Sequence, residues 1–144
     1  NTLYLLEPEC RRHGVAPSLD AGTDVPTVLA DPVGLEQVVH NLLINALLAL
    51  DQVPAAERKL ALTITLQGAQ AVLSVRDNGP GISTEHLPRI FEPFFTTRSG
   101  GLGLGLSLSQ TLAEGFGGSL TVGHAMPRGA EFRLALRLAA GAAA

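Results

Sequence analysis

The chain has 144 residues, enough for one domain with its own core, since a chain of this size buries roughly 68–70% of its unfolded surface. Ten Lys and Arg against thirteen Asp and Glu give a formal net charge of −3, which excludes the basic footprint that nucleic-acid binding relies on. Cys10 is the single cysteine, so an intramolecular disulfide and a Cys-rich metal cluster are excluded, and a reducing, cytoplasmic compartment is expected. The apolar runs meet Gly, Ser, Asn or charge before about eighteen residues, so neither a membrane span nor a secretory signal is expected.

In chain order, Asn1 to His13 places Leu3, Leu5 and Leu6 ahead of Glu7, Glu9, Arg11 and Arg12, and reads as a helix, the end of a linking element. Val15 to Leu19 and Thr27 to Ala30 read as short strands separated by turn signals at Gly22 and Pro26. Asp31 reads as an N-cap with Pro32 at the first helical position. The helix it opens should run to about Leu50 on an apolar stripe of Leu35, Val38, Val39, Leu42 and Ala46. Leu60, Leu62, Ile64 and Leu66 alternate with Ala61, Thr63 and Thr65, which predicts a strand buried on one face. Gly68 turns it, and Ala71 to Asp77 returns as a second strand. Asn78 to Gly103 is irregular apart from one helical turn near Thr84 to Leu87, and loops of that length are usually lids or binding loops. A helix stacking Leu104, Leu108 and Leu112 should follow, ended by Gly117 and Gly118. Leu120–Val122 and Phe132–Leu138 then form a hairpin around Pro127-Arg128-Gly129. The domain is expected to cover residues 1–138, with the Ala-rich tail 139–144 disordered.

Four groups of residues could carry chemistry. Gln37, Asn41 and Asn45 are four apart and share one side of their helix, away from the apolar stripe. They are a solvated face, hydrogen-bonded neighbours, or oxygen ligands for a hard cation such as Mg²⁺. Asp77 alternates with Ala71, Leu73 and Val75 and should point into the core at its strand's end, where a carboxylate needs donors. With Asn78-Gly79-Pro80-Gly81 it reads either as a turn cap or as an acceptor for the amino group of a purine. Gly101, Gly103 and Gly105 lie at the opening of a helix, where backbone N–H groups favour an anion. No Lys follows these glycines and Leu106 stands where a dinucleotide fingerprint needs Gly or Ala, which excludes both common phosphate loops. Phe91-Glu92-Pro93-Phe94-Phe95 and Arg98 form either a small satellite core or a lid presenting a cation to phosphates. Glu36 is about 100° away from the Gln37 face, so no carboxylate on that helix is placed to activate water.

The ordered set His40-Asn41-Leu42-Leu43-Ile44-Asn45-Ala46, Asp77-Asn78-Gly79-Pro80-Gly81-Ile82, Phe91-Glu92-Pro93-Phe94-Phe95 and Gly101-Leu102-Gly103-Leu104-Gly105-Leu106 resembles the N, G1, F and G2 boxes of bacterial sensor histidine kinases. The resemblance covers about Asp31 to Leu136. It implies an α+β fold of the gyrase, chaperone, histidine kinase and mismatch-repair type. That fold is a two-layer sandwich whose mixed five-stranded sheet carries about three helices on one face. It implies ATP and Mg²⁺ as ligands, with Asn45 the metal ligand and Asn41 supporting it. Asp77 would read adenine beside Gly79, Gly81 and Ile82, with Phe91 also among the nucleotide-binding residues. Gly101, Leu102, Gly103, Leu104, Gly105 and Leu106 would cradle the phosphates, and Asn41, Asn45 and Arg98 would form the catalytic set.

The sequence also departs from the family pattern. Gln37 stands where some members carry Glu, Leu48 and Ala49 replace basic and aromatic residues, Leu102 and Ala130 replace Thr, and the lid is short. No His here is followed by an acidic residue and then Pro, so the acceptor histidine is expected on a separate dimerisation domain, with a response regulator downstream. The domain alone should be a monomer without membrane contact. Three other readings share the pocket: an ATP hydrolase, a serine-directed anti-sigma kinase and a nucleotide-sensing module.

Overall fold

The computed structural model describes residues 7–12, 14–15, 17–20, 28, 30–92, 105–125 and 128–138. Its helices are α1 (Glu7–Arg12), α2 (Pro32–Leu50) and α3 (Gly105–Gly115). Its strands are β1 (Ser18–Asp20), β2 (Leu60–Gln67), β3 (Gln70–Asp77), β4 (Ser119–His124) and β5 (Ala130–Arg137). Residues 93–104, for which a lid is one of two expectations, and the tail from position 139 lie outside this set.

Helix α2 starts as the sequence dictates. The Asp31 side chain accepts from the Gly34 N–H at 2.9 Å, and Pro32 occupies the first turn, where a missing N–H costs nothing. The buried stripe is wider than predicted: Val38, Leu42, Leu43, Ala46, Leu47 and Leu50 are buried, while Leu35 and Val39 are only partly so. By length and composition α2 could cross a bilayer, contrary to expectation. In this fold that apolarity serves the core, because α2 packs against both α3 and β3.

The sheet has the order β1-β2-β3-β5-β4, with β1 parallel to β2 and all other pairs antiparallel. Alternation puts one apolar face toward the helices. Leu62, Val75, Phe132 and Val122 form one row across the strands, and Ile64, Leu73, Leu134 and Leu120 the next. On the reverse face Thr63, Ser74, Arg133 and Thr121 align. Only one face can therefore be covered by apolar packing, which gives the α+β two-layer sandwich with a mixed five-stranded sheet.

Three local expectations are corrected. The strand predicted at Val15–Leu19 is Ser18–Asp20; Val15 is buried instead, its N–H bonded to the Cys10 carbonyl at 2.9 Å behind α1. The strand expected at Thr27–Ala30 appears among the described residues only as a bridge between Val28 and Leu138. The expected leucine stack on α3 is broken at Leu108, which is 46% exposed, although Leu112 packs on the core; Leu104 lies outside the described residues. Ser109 and Ala113 hold the buried face, because Ser109 is drawn inward by a hydrogen bond to α2. The helical turn expected at Thr84–Leu87 forms, with the Leu87 N–H bonded to the Ser83 carbonyl at 3.0 Å, and a 3₁₀ turn at Leu87–Arg89 continues it.

Candidate functional site

The polar side of α2 is real and partly engaged. Gln37 Nε2 donates to Asn41 Oδ1 at 3.0 Å, confirming that the two share a face. Asn41 Nδ2 donates to the Gly105 carbonyl at 3.3 Å and to Ser109 Oγ at 3.0 Å, and Ser109 Oγ donates to the same carbonyl at 2.8 Å. Asn41 thus ties α2 to the first turn of α3. Ser109, fully buried, is a member of this network that sequence reading missed. Its polarity at a core position of α3 was the available signal. Asn45, half-buried, lies one turn beyond Asn41, and Ala49 one turn beyond Asn45.

Asp77 ends β3 with its side chain inside the molecule, 1% exposed. Its Oδ1 accepts from the Gly79 N–H at 2.9 Å and the Ala130 N–H at 3.4 Å. Oδ2 receives no hydrogen bond from the described residues. Burial pushes the Asp77 carboxyl above its ordinary value, and the two backbone donors pull it partly back. One oxygen is therefore fixed by the protein and the other is left to accept from a ligand. That acceptor fits a group carrying an N–H, such as the amino group of a purine.

The turn after Asp77 fits tightly against α2. A Cβ on Gly79 would lie 3.1 Å from both the Ala49 Cβ and the Ala49 carbonyl oxygen, so the glycine and the small Ala49 permit the approach. The site consequently runs along α2. From Ala49 beside the turn to Asn41 beside α3 is eight residues, about 12 Å of helix. Behind the turn stands the β4–β5 connection. Gly129, at φ +110°, packs so closely that a Cβ there would collide with the Asp77 carbonyl oxygen, and Gly81, at φ +79°, faces the Gly129 carbonyl.

Two more residues brace this turn: Asn78, which the sequence motif includes without assigning it a role, and Arg128, which lies outside the quoted motifs. Asn78 accepts from the Lys59 N–H at 2.8 Å and donates to the Glu57 carbonyl at 2.8 Å. Arg128 Nε donates to the carbonyls of Asn78 and Gly79, both at 3.1 Å. Both act across 19 to 50 positions of sequence, beyond any motif.

Ile82 and Phe91 are partly buried against the core, and Phe91 meets Phe132 edge to face with centroids 6.4 Å apart. That contact fixes Phe91 against β5. Leu106 also packs on the core, and Gly105 opens α3. Arg98, Gly101, Leu102, Gly103 and Leu104 lie outside the described residues. Glu36 is exposed, and no group of three His, Cys, Asp or Glu among the described residues could hold a metal.

A strand-end carboxylate with one oxygen left for a ligand, a glycine turn beside it, and carboxamides along the facing helix define a nucleotide-binding α/β sandwich. The family model for histidine kinase-, DNA gyrase B- and HSP90-like ATPases matches residues 30–140, and the chain belongs to that family. Within it the chain is an ATP-binding domain of the sensor histidine kinase type. Sensor histidine kinase ZraS of Escherichia coli (strain K12) is 33% identical over 134 residues, 93% of this chain and 28% of the relative. Two-component sensor PprA of Pseudomonas aeruginosa is 42% identical over 147 residues, 99% of this chain and 16% of the relative. The nucleotide-free catalytic domain of histidine kinase ThkA superposes with a TM-score of 0.82 at 28% identity, covering 94% of this chain and 87% of that one. Full-length ShkA in complex with AMPPNP gives a TM-score of 0.81 at 31% identity, over 96% of this chain and 28% of that one. Across these and similar curated relatives, this chain spans 12% to 28% of the relative's length.

Proposed function

We propose that this domain binds Mg²⁺-ATP and donates the γ-phosphoryl group to a histidine on a separate dimerisation and phosphoacceptor domain, for relay to a response regulator on the cytoplasmic side. The observation that carries the reading is the Asp77 carboxylate, buried, with Oδ1 held by two backbone N–H groups and Oδ2 left as an acceptor. Oδ2 accepts from the adenine amino group, and Gly79 and Gly81 shape the turn that admits the ring. Asn45 offers a carboxamide oxygen of the type a hard cation prefers, and Asn41 supports it from the preceding turn. Mg²⁺ bound there would neutralise charge on the phosphate oxygens. Arg98 and the glycines from Gly101 to Gly105 are assigned to the triphosphate.

Phosphoryl transfer depends chiefly on position and charge, so a nucleophile supplied by another domain is sufficient. The helix that faces the nucleotide aims no carboxylate at it: Gln37 is neutral and donates to Asn41, and Glu36 is exposed. That arrangement favours transfer to an incoming histidine over hydrolysis. The domain, mixed with a cognate phosphoacceptor hairpin and labelled ATP, should yield an acid-labile, base-stable phosphohistidine. ATP binding without that product overturns the transfer reading, and steady ADP release without any acceptor protein would establish hydrolysis in its place.

A further inference from the structure

The base end of the site is held by a residue outside every motif that carries the family resemblance. Resting on the nucleotide-site reading above, we propose that Arg128 is a positioning residue for base recognition, acting on Asp77 through the Asn78–Gly79 peptide unit.

The geometry is a relay of two hydrogen bonds on opposite edges of one planar group. The Asn78 carbonyl and the Gly79 N–H belong to the same peptide. Arg128 Nε holds its oxygen at 3.1 Å, and Asp77 Oδ1 holds its N–H at 2.9 Å. Hydrogen bonding at the oxygen polarises the unit and strengthens donation from the nitrogen. Arg128 also binds the next carbonyl, that of Gly79, at 3.1 Å. Two carbonyl oxygens aimed at one point repel each other, and a guanidinium between them keeps both in place.

The neighbours of Arg128 converge on the same group. Gly129 packs on the Asp77 carbonyl oxygen, and the Ala130 N–H is the second donor to Oδ1. Three consecutive residues, Arg128 and Gly129 of the β4–β5 connection and Ala130 at the start of β5, thus touch Asp77 and its turn, each by a different means. Of these, Arg128 is the one that contributes a side chain. Without it the Asn78–Gly79 peptide loses the partner of its carbonyl, the Gly79 N–H donates less strongly to Oδ1, and the carboxylate is aimed at the base less firmly.

The test measures dissociation constants of ATP, GTP and inorganic tripolyphosphate for wild type, Arg128→Ala and Arg128→Met. The Met variant keeps the apolar stem and removes the donor, and thermal melting checks that each variant is folded. Loss of one charge-assisted contact that acts on the base should weaken ATP binding about three- to tenfold. The ATP-over-GTP preference should shrink by the same factor, because the carboxylate can favour the adenine amino group over the guanine carbonyl oxygen only when it is aimed. Tripolyphosphate affinity should not change. An unchanged ATP-over-GTP preference in either folded variant overturns the proposal, as does a parallel loss of tripolyphosphate binding. Asp77→Asn, measured alongside, separates this failure from the larger one: if it also leaves base preference unchanged, the nucleotide-site reading itself has failed.

Discussion

Replacing Asp77 by Asn removes a charge and one acceptor while keeping the shape of the side chain. The amide oxygen can still accept from the Gly79 and Ala130 N–H groups, so the fold should survive. The amide nitrogen then occupies the place of Oδ2 and turns a donor toward the purine amino group, which is itself a donor. A charge-assisted hydrogen bond is lost and a buried donor is left unpaired, together roughly 2.5–4 kcal/mol, or about 10²–10³ in Kd. Stability should move the other way. Burial raises the carboxyl above 3.8, so the folded state keeps its proton to higher pH than the unfolded chain does. The wild type should therefore lose stability as pH climbs from 3.8 through the raised folded value, and that loss should be complete above it. Asp77→Asn removes this slope. Melting curves by circular dichroism should show the variant at least as stable as wild type at pH 7, with the difference closing toward pH 3. Fluorescent-nucleotide titration gives the affinity. A variant that binds ATP as well as wild type, or that gains its stability at low rather than neutral pH, would refute the reasoning.

Ser109→Ala removes one acceptor of Asn41 and should cost about 1–2 kcal/mol in urea unfolding. It should weaken ATP more than adenosine, because the network it breaks stands at the α3 end of the site. Gly129→Ala should abolish or nearly abolish folding, as its Cβ has no room against Asp77. Gly68→Ala, at φ +62° with open space around it, should cost only about 1–2 kcal/mol in the same assay. A double-mutant cycle of Phe91→Ala and Phe132→Ala should return a coupling of about 0.5–1.5 kcal/mol from thermal unfolding, reporting the edge-to-face contact. Removal of Mg²⁺ by chelation should weaken ATP far more than adenosine, read by calorimetry.

What was legible in the sequence follows from the range of the forces involved. The start of α2 depends on Asp31, Pro32 and Gly34 alone, and the β2–β3 pairing on alternation plus one glycine turn, so both were readable. The inward direction of Asp77 was readable for the same reason, since the period of a strand fixes it once Val75 is assigned to the core. The buried face of α3 was misread because leucine spacing favours Leu108, whereas a partner 68 positions away, Asn41, selects Ser109. The short strand β1 depends on a parallel partner across forty residues and has little pattern of its own. Arg128 looked like an ordinary turn residue, and only the folded β4–β5 connection shows what it holds.

The two ends of the site are therefore supported in different ways, and the difference bears on how the domain works. At the base end Asp77 is fixed from its own turn and from the β4–β5 connection, by two backbone donors to one oxygen and a collision-tight glycine behind it. Reorienting that carboxylate would mean breaking sheet-linked contacts, so this end is built before any ligand arrives. At the other end Asn41 joins α2 to α3 through a carbonyl at the exposed first residue of α3 and a single serine hydroxyl. Such a join is an exchangeable set of hydrogen bonds, each worth about 1 kcal/mol net. A ligand that offers Asn41 new partners can compete with it, while none can easily displace the backbone around Asp77. On the proposed reading of the site, base recognition is preorganised, and adjustment to the state of the phosphates falls to the α2–α3 contact.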